Sequence, residues 1–305
     1  MVLVMGVTGS GKSYFVNKLA NGDVVQVGDD LHSYSQILEE ISRVLTAQHE
    51  AGVPLKGVIY LHRITDIRYA GSSIKTLEIF KKICGDLALQ NVILVSTRWN
   101  EIDEETGAFR EQQLRSDFWA YMLGHDARMA RFDGSRDSAI GIVSQLVSRQ
   151  SIVLELQREL VDERKTLQET VAGAYVNDDL SEKRAQLEKE VWDLEKLQQR
   201  TAQNDDRAMR RQIELDRARE QRRLQVARED EERLRKQIAL EVHTEIEGKK
   251  KKKGKGLWAV LPFLPAVMGI IEMFVGIPPG STALLTSWFS ESGIGESVSD
   301  FFANF

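Results

Sequence analysis

The stretch MVLVMGVTGSGKS, Met1 to Ser13, decides the fold. Met1 to Met5 is an unbroken, valine-rich apolar run, as expected of a strand buried on both faces of a parallel sheet. Gly6 to Ser13 (GVTGSGKS) then fits the phosphate-loop pattern G-x-x-x-x-G-K-[ST] without a mismatch. Glycines at 6, 9 and 11 let the main chain curl until several N–H groups point at one spot. Lys12 offers a mobile charge for β- and γ-phosphates, and the Ser13 hydroxyl a ligand for Mg2+. A helix over Tyr14 to Ala20 follows at once, bringing its positive dipole end under the anion. The plainer alternative is a glycine-rich turn between strand and helix. Because strand, loop and helix arrive in order, Gly6, Val7, Thr8, Gly9, Ser10, Gly11, Lys12, Ser13 and Tyr14 are read as nucleotide-binding residues.

Further along, apolar segments alternate in type. Gly57 to Leu61 and Asn91 to Ser96 read as buried strands, Ala130 to Phe132 as a last edge strand, and Val24 to Val27 as a short strand. Gln36 to Glu50, Ser73 to Cys84, Arg110 to Leu123 and Ser138 to Val147 carry apolar residues at helical spacing. Strands alternating with helices imply a doubly wound α/β domain with a mainly parallel sheet, the phosphate loop at the C-terminal end of the first strand. With 305 residues and a net charge of −5, nothing in the chain as a whole points to nucleic acid as a partner. The single cysteine, Cys84, excludes an internal disulfide and fits a reducing, cytoplasmic setting. No secretory leader is visible.

A phosphate loop does not choose between ATP and GTP. The guanine reader is expected after a later strand, as [NT]-K-x-D, where a carboxylate accepts hydrogens from the base. Thr97-Arg98-Trp99-Asn100 stands there: Thr97 and Trp99 suit the setting, while the Asn100 amide lacks the carboxylate's charge and bidentate grip. A loop residue capping the turn Glu101 to Glu105 is the bland reading of Asn100. His62 and Asp66, and Asp29 and Asp30, are weaker candidates near the site. The histidines (32, 49, 62, 125, 243) have no metal-ligand spacing.

GVTGSGKS, GVIYLHRITD (57–66), GSSIKTLEIFKKICGD (71–86), NVILVSTRWNE (91–101) and REQQLRSDFWAYML (110–123), in that order, resemble the fungal G-domain-containing proteins. These form part of the septin-like and immunity-associated branch of phosphate-loop GTPases. The resemblance covers about residues 1–149 and implies a G domain that binds GTP, with Mg2+ at Ser13. It also implies that Leu31 to Gln36 is a first switch, with Ser35 where a metal-binding Thr is expected. One departure stands out: no Asp-x-x-Gly occurs between Ser13 and Asn100. The simplest account is the loss of one hairpin and the second switch, which implies impaired hydrolysis. The rival to a weak GTPase is a static nucleotide binder or scaffold working through the rest of the chain.

Residues 150–247 are dominated by Glu, Arg, Lys and Gln and contain one interior glycine, Gly173. Leu154, Leu160, Val161 and Leu167 mark a helix that Asn177-Asp-Asp179 is expected to break. Leu180, Leu187 and Leu194 then recur every seven residues, as in a short coiled-coil seam or a helical hairpin capable of self-association. One long solvated helix held by charge pairs is the alternative. A flexible polybasic linker (248–256) leads to an apolar tail (257–305). Leu257 to Ile277 is long enough to cross a hydrocarbon core of about 20 residues, though Pro262, Pro265 and Glu272 oppose an easy span. Membrane contact through Lys249 to Ile277, spanning or peripheral, is therefore expected, with docking on a partner as the alternative.

Overall fold

The computed structural model describes residues 1–22, 33–66, 71–201 and 207–253, the last five by backbone alone. The first half runs β1 (Val2–Gly6), α1 (Lys12–Ala20), α2 (Tyr34–Glu50), β2 (Gly57–Arg63), α3 (Gly71–Cys84) and β3 (Val92–Thr97). It continues through α4 (Glu104–Gln113), α5 (Ala120–Gly124), β4 (Arg128–Arg131) and α6 (Arg136–Val147). The strands form one parallel sheet in the order β1-β2-β3-β4. Val2 lies opposite Gly57, Val58 opposite Val92, and Ile93 opposite Arg128.

Side chains that alternate along each strand divide between two cores. Ile59, Leu61, Ile93 and Val95 face Phe15 of α1 and Ala139, Ile142 and Leu146 of α6. Met5, Val58, Tyr60, Val92 and Leu94 face the helices α2 and α3, with the Tyr60 and Phe80 rings 4.7 Å apart. Burial on both faces is what made these strands read as continuous apolar runs. Cys84, at the end of α3, is fully buried, and that burial pushes its thiol well above the ordinary range. Among the described residues β1 pairs on one side only, with β2. The expected strand 24–27, together with Asp29, Asp30 and His32, lies outside the described residues.

The helix expected over Arg110 to Leu123 is not continuous. Asp103 caps α4 by accepting from the Thr106 N–H at 2.8 Å, and a wide π turn over Leu114–Phe118 follows before α5. The Trp119 N–H bonds back to the Leu114 carbonyl at 2.7 Å. The extra residue in that turn lets Leu114, Trp119 and Met122 all enter the core.

The charged region corrects several expectations. Leu154, Leu160 and Leu167 do not share one helix. A short α7 (Glu155–Gln157) passes into a π turn over Arg158–Asp162, and a 3-10 turn covers Leu167–Glu169. All three leucines enter the same core as Leu38, Ile41 and Phe80. Buried Gln157 binds this segment to α2, donating to the Leu45 carbonyl at 2.9 Å and to the Gln48 side-chain oxygen at 2.6 Å. Asn177-Asp-Asp179 breaks nothing: α8 (Val171–Thr201) runs straight through it. Val176 and Leu180 are buried on that stretch and Asp179 pairs with Lys75 of α3, so packing overrides weak local propensity. At Gly173 a Cβ would lie 1.7 Å from the Leu167 carbonyl oxygen, so the turn can approach α8 only because that position has no side chain.

Helix α9 (Arg207–Leu234) returns antiparallel along α8. Arg184 bonds Glu231 at 2.8 Å, Arg217 bonds Glu195 at 2.9 Å, and Leu187, Val191, Leu224 and Ala227 form the seam. The structure is thus a helical hairpin, not one long solvated helix. Helix α10 (Ile238–Lys253) buries Ile238, Val242 and Ile246 and is clamped to α2 through Arg43, which pairs with Glu241 and Glu245. It continues through Lys253, where a flexible run was expected from residue 248. No helix among the described residues is long and apolar enough to cross a membrane. The apolar stretch 257–277 and the rest of the tail lie outside those residues.

Candidate functional site

The phosphate-loop sequence folds at the C-terminal end of β1. Gly6 has φ +144°, and a Cβ there would stand 2.2 Å from the Leu61 carbonyl oxygen of β2, so only glycine lets the chain turn out of the sheet. Gly9 and Gly11 also have positive φ, and the Ser10 N–H closes a turn on the Val7 carbonyl at 3.1 Å. Helix α1 begins at Lys12 with no side-chain cap. The first turn of a helix that lacks such a cap can accept an anion from outside the helix.

Lys12 is only 3% exposed, and its ammonium donates to the carbonyls of Gly6 at 3.0 Å and Val7 at 2.8 Å. Burial pushes its pKa down to about 7, because neutral carbonyls replace water poorly as partners for a full charge. An anion in the loop would reverse that shift. Ser13 is buried beside it in the first turn of α1. Tyr14 points elsewhere: its hydroxyl donates to the Gly134 carbonyl at 3.2 Å and its ring lies near Phe132.

The residues after β3 divide. Thr97 donates its hydroxyl to the Ser10 carbonyl at 2.8 Å. Arg98, in the left-handed region with φ 63°, donates Nε to the Gly9 carbonyl at 3.1 Å and an Nη to Glu101 at 3.0 Å. Both therefore brace the phosphate loop. Trp99 turns toward α4 and β4: its indole N–H bonds Ser96 at 3.0 Å and the Arg131 guanidinium lies 4.0 Å over the ring. A Cβ on Gly107 would lie 2.8 Å from the same indole. The ring is thus packed internally, while Asn100 stands exposed on the rim.

Of the neighbours, Arg63 is the residue that sequence reasoning missed. Its guanidinium lies over Gly9, where a Cβ would stand 3.0 Å from Nη1, and Asp66 accepts from its Nε. The available signal was a cation ending the strand beside β1. His62 is buried, which holds its imidazole down at about 4 against the pull of Asp66. A cavity of about 330 Å3 opens beside the loop, lined by Gly6, Val7, Thr8, Arg63, Tyr34 and Ile37 among others. Ser35, at the start of α2, is fully buried and donates its hydroxyl to Asp230 of α9 at 2.7 Å. For Mg2+, the Ser13 hydroxyl, in the first turn of α1 beside Lys12, would be the residue to hold an ion that arrives with a triphosphate. Ser35 as placed does not fit that role. Among the described residues no group of three His, Cys, Asp or Glu could hold a metal.

No family model matches the chain, and no curated protein matches it at a significant level. Among solved structures it is similar to Toc33 from Arabidopsis thaliana, crystallised as a dimerization-deficient variant. The two share 18% identity over 50% of this chain and 86% of that one, with a TM-score of 0.38. A likeness that slight carries no argument. What the chain's own residues establish is an α/β protein, its parallel sheet covered by helices on both faces, with a phosphate-loop sequence folded at the C-terminal end of its first strand.

Proposed function

We propose that the chain binds a purine nucleoside triphosphate together with Mg2+, with Gly6 to Ser13 around the phosphates and GTP preferred to ATP. The observation that carries this is the loop itself: a buried ammonium held by two main-chain carbonyls beside uncapped first-turn amides. Such a site gains when a multiply charged anion replaces those carbonyls as the lysine's partner. Arg63 supplies a second positive charge next to Gly9. Mg2+, when bound, neutralises charge on the β- and γ-phosphate oxygens. The guanine preference rests on the resemblance at residues 91–101, and with Asn100 in the Asp position it is expected to be modest.

Two observations favour slow or absent hydrolysis over rapid turnover: the lack of Asp-x-x-Gly between Ser13 and Asn100, and the engagement of Ser35 by Asp230. Lys12 and Arg63 would then mainly bind and orient the phosphates. Titration of the full chain with fluorescent GTP and ATP analogues, with and without Mg2+, tests the reading. The expected result is saturable binding, tighter for GTP, weakened about a hundredfold by Lys12→Ala with unchanged circular dichroism. Failure of the folded wild-type chain to bind either nucleotide, with or without the metal, would sink it.

A further inference from the structure

Beside the phosphate loop the packing is incomplete. The cavity of about 330 Å3 lies between α2, α3 and the sheet. Well-packed interiors leave few voids larger than a water molecule. At about 30 Å3 per water, this one has room for about ten of them. Met5, Ile41, Ile79, Phe80 and Ile83 are buried in its walls and offer such waters no hydrogen bond. Apolar walls of this extent favour the exchange of water for an apolar body. From the loop, Gly6, Val7 and Thr8 reach the cavity, whereas Gly9 to Ser13 and Thr97 to Asn100 do not line it. It is therefore a neighbour of the phosphate site and not a part of it.

The charge on its lining is one-sided. Arg63 is the single charged side chain among the described residues that line it. Asp66 accepts from Nε and so fixes the guanidinium, while neither Nη has an acceptor among the described residues. The Arg63 side chain is 40% exposed, which leaves those two nitrogens within reach of a ligand. A free guanidinium edge is a fork that a carboxylate fits with two parallel hydrogen bonds.

We propose that the cavity binds a small carboxylic acid, acyl or aryl, of about ten non-hydrogen atoms. Its carboxylate sits on the Nη edge of Arg63, and its apolar body replaces water among Met5, Ile41, Ile79 and Phe80. Binding there requires neither nucleotide nor metal.

Calorimetric titration of the full chain, free of nucleotide, compares octanoate, 1-octanol and acetate. Octanoate is expected to bind saturably at one site, 1-octanol about tenfold more weakly for want of the charge-assisted bonds, and acetate not measurably. Thr76→Phe, which extends a half-buried lining side chain into the space, is expected to weaken octanoate at least about tenfold with unchanged circular dichroism. Ile37→Phe closes the space from α2 and serves if the first variant does not fold. Arg63→Gln is expected to bring octanoate down to the affinity of 1-octanol and to leave 1-octanol unchanged. Equal affinity for octanoate and 1-octanol in the wild-type chain would overturn the site, as would octanoate binding untouched by both filling variants. So would failure of the folded wild-type chain to bind octanoate. A chain that binds octanoate but neither GTP nor ATP would uphold this site and lose the phosphate reading alone.

Discussion

On one face of the sheet, Phe15 and Leu146 pack over Ile59 and Ile93, and two helices complete the layer. On the other, α2 and α3 lie on Tyr60 and Leu94, and are themselves covered by residues as distant as Leu234, Val242 and Ile246. The first face needs one layer of helix; the second is two layers deep and draws on the chain up to α10. The deeper face is also the one whose outer layer touches the first turn of α2, beside the phosphate loop.

Stopping the chain at Arg149 would break this comparison most severely. It strips the cover from Leu38, Leu45, Leu77 and their neighbours, each worth about 1.5–3 kcal/mol when buried. For the three named leucines alone that is about 4.5–9 kcal/mol, comparable with the net stability of a typical domain, about 5–15 kcal/mol. Residues 1–149 are therefore expected to show no cooperative thermal transition, while the full chain shows one. A fragment that melted as sharply as the whole would make the second face as self-sufficient as the first.

Next in size is a pH effect on nucleotide affinity. With its pKa near 7 in the free loop, Lys12 loses its proton as pH rises through that value, whereas bound phosphate holds the proton on. Binding then takes up a proton, so affinity falls with rising pH, by up to about tenfold per unit at the limit of one linked proton. Calorimetric titrations between about pH 7.5 and 8.5 check it; a flat profile would mean that the lysine stays charged in the free loop.

The smallest expected effect sharpens the role of the residues after β3. Thr97→Val keeps the shape but removes the bond to the Ser10 carbonyl, and is expected to weaken nucleotide binding about threefold to tenfold for GTP and ATP alike. A loss confined to GTP would restore Thr97 as a reader of the base.

The first face was legible in the sequence because each of its parts carries a local signal. GVTGSGKS specifies its own backbone, and the strands are apolar runs of strand length bounded by polar residues. The outer layer of the second face was not legible. Leu234, Ile238, Val242 and Ile246 recur every four residues, but among so many Arg, Glu and Lys that the segment reads as solvated. Only the shape of the surface they meet, formed by α2 and the π turn over Arg158–Asp162, makes them core. Asn177-Asp-Asp179 misled for a related reason: a weak local preference was outvoted by burial on both sides of it. Thr97 and Arg98 were singled out as readers of a base, whereas the contacts they make are with the phosphate loop, which spacing alone could not reveal.

The seclusion of Cys84 has a practical consequence. As the single thiol of the chain, shut beneath α3 with its ionisation suppressed, it should resist alkylating reagents while the fold is closed and react once the end of that helix lifts. The protein thus carries its own chemical clock for opening of the doubly covered side, readable by mass after alkylation without engineering a new thiol.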